Sequence, residues 1–209
     1  AGGLTRDFIT EFVRDINAPE IGLFIQTPNG RNREGSYQDC IIPNPSPEIR
    51  DSSDYYHVIG AFLALIIRMN TKQIDLHFPP LFWEFIVDGK LTIDAIYSID
   101  NSYQKMASNL LLDCSSMSSV SLLNMRGMKI KIDQFDSITK SNCEEYVERC
   151  NEFRLNELKI PLSKIRAGFW ENLNFKPPAF TTSSLLESLV CNEKVLTAES
   201  LKKAIIFND

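Results

Sequence analysis

YYHVIGAFLALIIRM, Tyr55–Met69, is apolar on nearly every face when it is drawn as a helix. A helix that is apolar all round either spans a membrane or lies buried in a core. The uncharged part, residues 55–67, is shorter than the ~18 residues that a membrane span needs, and it contains His57. We therefore predict a buried helix at the centre of the core, with His57 in a hydrogen-bonded, structural role.

The segment that follows, IDLHFPPLFWEFI at residues 74–86, admits three interpretations. Asp75 and His77 could be a catalytic pair, the aromatic residues could form an interaction surface, or the segment could be a buried corner. No serine or cysteine nucleophile is tied to His77 by a known motif, so a structural role for both residues is favoured.

The two prolines of this segment predict the start of a helix. Pro79 or Pro80 suits a first turn, because the N–H that proline lacks needs no partner there. The side chains predicted to pack inward are Phe82, Phe85 and Ile86. Trp83 is predicted to cover part of the surface.

The residues before the central helix predict one helix and one hairpin. An apolar stripe at every fourth position predicts a helix that Thr5 caps and that ends before Pro19. Two β-type runs, IGLFIQ and YQDCII, flank a stretch rich in turn formers and predict a hairpin with a long loop. PNPSPEIRDSSD, residues 43–54, is predicted to be a surface loop.

The second half predicts further helices and a second hairpin. Thr92 is expected to cap a helical stretch that breaks and is capped again at Asp100 and Asn101. SVSLLNMRGMKIKI, residues 119–132, predicts a hairpin that turns between Asn124 and Gly127. One face of this hairpin, which carries Lys129, is expected to be exposed to solvent.

The remaining segments predict three helices. The first follows a cap at Ser141, paired with Glu144, or at Asn142, and Pro161 is expected to kink or break it. The other two are placed at residues 184–191 and 197–206.

Composition excludes several functional classes. The net charge of −5 and the isoelectric point near 5.2 do not suit a nucleic-acid partner. The five cysteines are scattered, odd in number and without a C-x-x-C pair, so neither a disulfide framework nor a metal site is expected. Cys114 is the most plausible reactive thiol. No phosphate-binding loop, cofactor motif or signal peptide is recognised.

The order of the segments resembles the N-lobe of a HECT ubiquitin ligase, in particular the HERC type. The resemblance rests on GGLTRDF, then the PNGR loop, YYHVIGAFLALIIR, the DLH before the paired prolines, EYVER with RLNE, IRAGFW and LLESLVCNE. It covers almost the whole chain.

The resemblance implies an α+β, predominantly helical fold in two parts. A large helical subdomain with a β-hairpin would comprise residues 1–98 and 156–209. A smaller subdomain, residues 99–155, would dock the ubiquitin-conjugating enzyme. The C-lobe of the family is expected to be absent from these residues.

The resemblance also implies a function. The N-lobe would recruit a ubiquitin-loaded conjugating enzyme, so that ubiquitin passes to a C-lobe cysteine and then to a substrate lysine. None of the five cysteines stands in the family's Thr-Cys-Phe setting, so no catalytic residue is assigned and the fragment alone should be inactive. Substrates would be bound by regions outside this chain, and a cytoplasmic or nuclear location is expected. The alternative is a non-catalytic module that sequesters conjugating enzymes.

Five residues are carried over as the docking groove. They are Ser102, Met106, Leu110, Tyr146 and Cys150. Met106 and Leu110 are one helical turn apart, as are Tyr146 and Cys150, so each pair shares a face. The alternative, that Met106, Leu110, Tyr146 and Cys150 belong to the core of the smaller subdomain, has the same sequence signature.

Overall fold

The computed structural model describes residues 2–50, 54–69, 74–114, 122–132, 135, 137–173 and 181–191. The helix expected at residues 197–206 lies outside them. The helices are α1 (Gly2–Ile16), α2 (Pro28–Asn32), α3 (Pro47–Arg50), α4 (Tyr55–Met69), α5 (Pro80–Asp88), α6 (Ile93–Ile99), α7 (Asn101–Leu112), α8 (Cys143–Leu173) and α9 (Ser183–Val190). The strands are β1 (Phe24–Gln26), β2 (Ile41–Pro43), β3 (Leu122–Leu123) and β4 (Lys129–Ile130).

Helix α4 is the centre of the core, and its predicted bounds are confirmed. It packs against α8 so closely that the backbones touch. A Cβ atom on Gly60 would lie 2.0 Å from the carbonyl oxygen of Ile165, and one on Gly168 would lie 2.0 Å from that of His57. The side chain of His57 is hydrogen-bonded to Glu171 at 2.7 Å, as the structural role requires.

Helix α8 runs unbroken for 31 residues through Pro161, so the predicted break is wrong. Proline removes one hydrogen bond from a helix interior, but the turns on both sides are held by burial. Leu158 and Leu162 are fully buried. The helix begins directly after Asn142, whose carbonyl accepts the N–H of Tyr146.

Residues 74–86 form a buried corner, as predicted. Helix α5 begins at Pro80, and Phe82 stacks on Phe78 with the ring centroids 3.9 Å apart. The exposure predicted for Trp83 is wrong, because its side chain is completely buried against Phe78 and Phe82. Helix α5 contacts both α8 and α9, so two of its faces are covered.

Helix α1 ends at Ile16, before Pro19, as expected. It begins at Gly2, however, so Thr5 lies inside it and the predicted cap at Thr5 is wrong. The ring of Phe12 packs against Phe62 at 4.2 Å and attaches this helix to α4.

The first hairpin pairs β1 with β2 in antiparallel register, with Ile25 opposite Ile42. Its long loop contains a feature that was not predicted, the short helix α2, whose first turn is capped by the hydroxyl of Thr27. The loop prediction for residues 43–54 is only partly right. Asn44 and Ser46 are buried, and α3 follows them.

The second hairpin and the two capped helices match their predictions. Leu122 pairs with Ile130, and the side chain of Asn124 closes the turn by accepting backbone N–H groups. Thr92 caps α6, and Asp100 ends α6 and caps α7. The fold is therefore α+β and predominantly helical, and the described residues contain two small antiparallel sheets.

Candidate functional site

A groove of about 710 Å³ runs along one face of α7. It contains three of the five predicted docking residues, Ser102, Met106 and Leu110, which lie one helical turn apart. Ser102 is exposed, Met106 is half-buried and Leu110 is buried. An open surface with an apolar floor can accept an apolar side chain from another protein.

The end of α7 exposes two leucines that the sequence analysis missed. Leu112 lines the groove with 84% of its surface exposed, and Leu111 beside it is 54% exposed. The signal was present, because three consecutive leucines at residues 110–112 cannot all face one side of a helix. Large exposed apolar residues next to a groove are typical of interaction sites.

The opposite edge of the groove is polar. The hydroxyl of Ser102 donates to the carboxylate of Glu34, and the Lys105 ammonium lies 3.5 Å from the same carboxylate. The Ser102 hydrogen bond, helped by Lys105, lowers the pKa of Glu34. A negative charge therefore stays at this edge at neutral pH.

Tyr146 and Cys150 are buried rather than exposed in the groove. Tyr146 is 3% exposed and packs edge-on against Phe135, with ring centroids 5.2 Å apart, while Cys150 is fully buried. Burial raises the pKa of Cys150 to about 11. In this structure both side chains have the core position that the sequence left open as the alternative.

A buried charged network lies at the start of α7. Arg154 of α8 is fully buried, contacts the carboxylate of Asp100, and donates to Glu157 at 2.8 Å. Its guanidinium also lies over the ring of Tyr103, 5.1 Å from the centroid. Burial raises the pKa values of Asp100 and Glu157, and the charge of Arg154 opposes that rise.

This network reaches the second hairpin. The Glu157 carboxylate accepts the backbone N–H of Met125 at 2.9 Å. Arg31 of α2 donates to the backbone carbonyl of Met125 at 2.8 Å. The hairpin turn, α2, α7 and α8 are thus joined through charged groups. Arg154 was missed in the sequence, although it continues the four-residue spacing of Tyr146, Cys150 and Leu158.

The other candidate residues form no recognisable catalytic arrangement. His77 is 3.0 Å from Asp75 at the surface, beside a cavity of about 430 Å³ that also borders Cys191. The Cys191 thiol donates to the carbonyl of Leu76, and burial raises its pKa to about 12, so it is protonated at neutral pH.

The described residues offer neither a metal site nor a membrane span. Among them, no group of three or more histidine, cysteine, aspartate or glutamate side chains is placed to hold a metal ion. Within the same ranges, no helix is both long and apolar enough to cross a membrane.

The family follows from a comparison with models of known families. The model of the HECT-domain (ubiquitin-transferase) matches residues 10–209. This chain therefore belongs to the HECT-domain family, and the observed fold is that of its N-lobe, as the resemblance implied.

Three relatives illustrate the similarity. The chain is 22% identical over 215 residues to the E3 ubiquitin-protein ligase HERC2 of Homo sapiens, a match that covers 99% of this chain and 4% of that protein. It is 26% identical over 223 residues to the Probable E3 ubiquitin-protein ligase HUL4 of Eremothecium gossypii, covering 97% of this chain and 26% of the relative. It is 24% identical over 221 residues to the Probable E3 ubiquitin-protein ligase mug30 of Schizosaccharomyces pombe, with coverages of 100% and 26%. The chain thus spans about a quarter or less of the length of these relatives.

Proposed function

We propose that this chain recruits a ubiquitin-loaded conjugating enzyme for a HECT-type ubiquitin ligase. Ubiquitin would pass to a cysteine outside these residues and then to a lysine of a substrate bound elsewhere in the protein. The observation that carries the proposal is the groove along α7, which joins Ser102, Met106 and Leu110 to the exposed Leu112 in a chain of this family.

The chemistry of the groove supports a protein partner. Its floor and one end are apolar, and its edge carries the Glu34 and Lys105 charges, an arrangement like the apolar centre and polar rim of protein interfaces. A methionine such as Met106 adapts its shape to an inserted side chain. Leu110 supplies a fixed floor, because it is almost completely buried.

The role of the lobe would be proximity rather than bond-making chemistry. Passing ubiquitin between thiols needs an attacking thiolate, and the buried thiols of Cys143, Cys150 and Cys191 have pKa values raised to about 11 or 12 by burial. A docked conjugating enzyme would instead be held near the catalytic cysteine of another lobe, which raises its effective concentration there.

Within the chain, we assign docking to a smaller subdomain at residues 99–155 and place residues 1–98 and 156–209 in a larger one. The proposed boundary falls inside α8, which is continuous there. The five predicted docking residues all lie within the smaller part. Tyr146 and Cys150 would support the groove from the core, and Ser102 and Met106 would contact the partner. Reduced thiols suit a cytoplasmic or nuclear location.

The experiment that tests the proposal is a titration of the protein with a panel of ubiquitin-conjugating enzymes, followed by NMR and by isothermal calorimetry. Leu112→Ser and Met106→Ala should each weaken binding by roughly 5- to 30-fold, since an interface anchor contributes about 1–2 kcal/mol. Leu189→Ser on α9 is the matched control, because Leu189 is also an exposed leucine, at 46%.

The thermal midpoint of Leu112→Ser should stay that of the parent protein, because the side chain is mostly exposed. Equal affinities for Leu112→Ser, Leu189→Ser and the parent protein would disprove the groove as the docking site. Tyr146→Phe keeps the buried ring and should bind the conjugating enzyme like the parent protein. A lower affinity of this variant would instead mean that the Tyr146 hydroxyl contacts the partner.

A further inference from the structure

Two cysteines meet where α7 ends and α8 begins. Cys114 follows the C-terminal cap of α7, Asp113, and Cys143 is the first residue of α8. All five cysteines of the chain are free thiols, and these two stand at the end of α7 and the start of α8. The proposed docking function assigns no role to this pair.

The two segments are joined by reciprocal contacts. The Cys143 thiol donates to the carbonyl oxygen of Leu110 at 3.0 Å, and Leu110 lies four residues before Cys114. The Cys114 thiol donates to the carbonyl oxygen of Thr139 at 3.3 Å, and Thr139 lies four residues before Cys143. Each thiol therefore reaches the backbone turn from which the other one emerges. These contacts place the two cysteines on adjoining segments, the arrangement from which a disulfide can form.

We propose that Cys114 and Cys143 form a reversible disulfide when the protein meets a peroxide, so that the end of α7 becomes covalently attached to the start of α8. The bond closes a loop from residue 114 to residue 143, which includes the second hairpin. It fixes the relative positions of the two helices that carry the five docking residues.

The chemistry proceeds in two balanced steps. The half-buried Cys114 is the accessible sulfur, so its thiolate attacks a peroxide oxygen, the O–O bond breaks, and a sulfenic acid and hydroxide result. The Cys143 thiolate then attacks the Cys114 sulfur, the S–S bond forms, and hydroxide leaves and takes up a proton. In sum, two thiols and one hydrogen peroxide give one disulfide and two water molecules. A reduced dithiol reverses the bond by thiol–disulfide exchange.

The position of Cys143 makes the pair selective. Cys143 is 3% exposed, so its thiol can react with an oxidised Cys114 inside the protein while it is shielded from oxidants in solution. Burial raises the pKa of Cys143 to about 11, so the second step is slow at neutral pH and requires sustained oxidation.

The test uses the folded chain at low protein concentration, oxidised with hydrogen peroxide, quenched by alkylation, and mapped by mass spectrometry without reduction. We expect a cross-linked peptide that joins Cys114 to Cys143, a loss of both thiols to alkylation by at least tenfold, and complete reversal by dithiothreitol. Cys191→Ser is the matched control, because it removes another buried cysteine and should leave the cross-link intact. Cys114→Ser and Cys143→Ser should each abolish it.

A second readout separates the bond from simple proximity. The thermal midpoint of the oxidised parent protein should rise above that of the reduced protein, and peroxide should cause no such rise in Cys114→Ser. The proposal is overturned if the treated, folded parent protein carries Cys114 as sulfinic acid beside an intact Cys143 thiol, or if its cross-links join other cysteines or two chains. These readouts do not depend on docking, so failure of the proposed function would leave the result for the disulfide unchanged.

Discussion

Arg154→Met is the substitution whose cost follows most directly from the structure. Arg154 is fully buried and is bonded to both Asp100 and Glu157. Its loss leaves two buried carboxylates for which Arg31 is the remaining interacting cation among the described residues. Removing one partner of a buried ion pair typically costs about 3–5 kcal/mol of unfolding free energy. For a chain of this length, where 1 kcal/mol corresponds to about 2–4 °C, the thermal midpoint should fall by roughly 6–20 °C.

The loss should also depend on pH, and the sign follows from the two carboxyl groups. Burial already raises the pKa values of Asp100 and Glu157, and Arg154 opposes this rise, so its removal raises both values further. At a pH between the unfolded-state and folded-state pKa values, these two carboxyl groups are protonated in the folded variant but ionised in the unfolded chain. Its stability falls as pH rises through the folded-state pKa values. The difference from the parent protein should therefore be larger at pH 7 than at pH 5.

The assay is urea unfolding followed by circular dichroism at pH 5 and pH 7. Arg149→Met is the matched control on the same helix. Arg149 is paired with Glu152 at 3.2 Å, but both side chains are at least half exposed, so its removal should cost less than about 1 kcal/mol. If Arg154→Met costs no more than Arg149→Met at pH 7, or costs more at pH 5 than at pH 7, the reasoning about the buried network is refuted.

Three further predictions concern packing, a polar anchor and the thiol pair. Gly60→Ala places a methyl group against the backbone of α8 and should lower the free energy of unfolding in urea by more than about 2 kcal/mol. An unchanged value would mean that α4 and α8 can move apart without penalty. Asn29→Ala leaves the carbonyls of Ser36 and Ser98 without the side-chain amide that donates to them, and it should lower the free energy of unfolding by about 1–3 kcal/mol in the same assay. An unchanged value would show that water replaces the amide. Disulfide formation from a mixed disulfide of Cys114 with glutathione should accelerate as pH rises from 7 to 9, because burial raises the pKa of the attacking Cys143 thiol. Acid-quenched time points that show no pH dependence would contradict this role of Cys143.

The elements that could be predicted from sequence are those with a local physical cause. The uniform apolar character of α4 reflects burial on all sides, and the caps at Thr92 and Asp100 reflect unpaired N–H groups that each helix start must satisfy. Both hairpins were visible because their turn residues stand between β-type runs. Each of these signals can be recognised in a short stretch of the sequence without knowledge of its distant contacts.

The predictions that failed are those in which distant contacts override local preference. Trp83 was expected near the surface, but α8 and α9 cover the helix that carries it. Pro161 was expected to interrupt α8, but the buried leucines on either side hold the helix together. Thr5 is a good cap by composition, yet the helix starts earlier, at Gly2.

The candidate site was only partly predictable for the same reason. The spacing of Ser102, Met106 and Leu110 fixes their common face, and the structure brings these three into one groove. Tyr146 and Cys150 have an equally regular spacing, but spacing alone cannot tell a face that is turned to a partner from a face that is turned to the core. Here both residues belong to the buried core cluster, and Tyr146 packs against Phe135.

The position of the groove depends on residues buried at the start of α7. The carboxylate of Asp100 accepts the N–H of Tyr103 and is held by Arg154, while the side-chain oxygen of Asn29 accepts the N–H of Asn101. Side chains from three separate parts of the chain thus fix the first turn of α7. Since the groove residues lie on consecutive turns of that helix, their placement follows from this turn. The charged network is therefore better understood as positioning the proposed docking surface than as a source of net stability, because buried ion pairs add little stability over apolar packing.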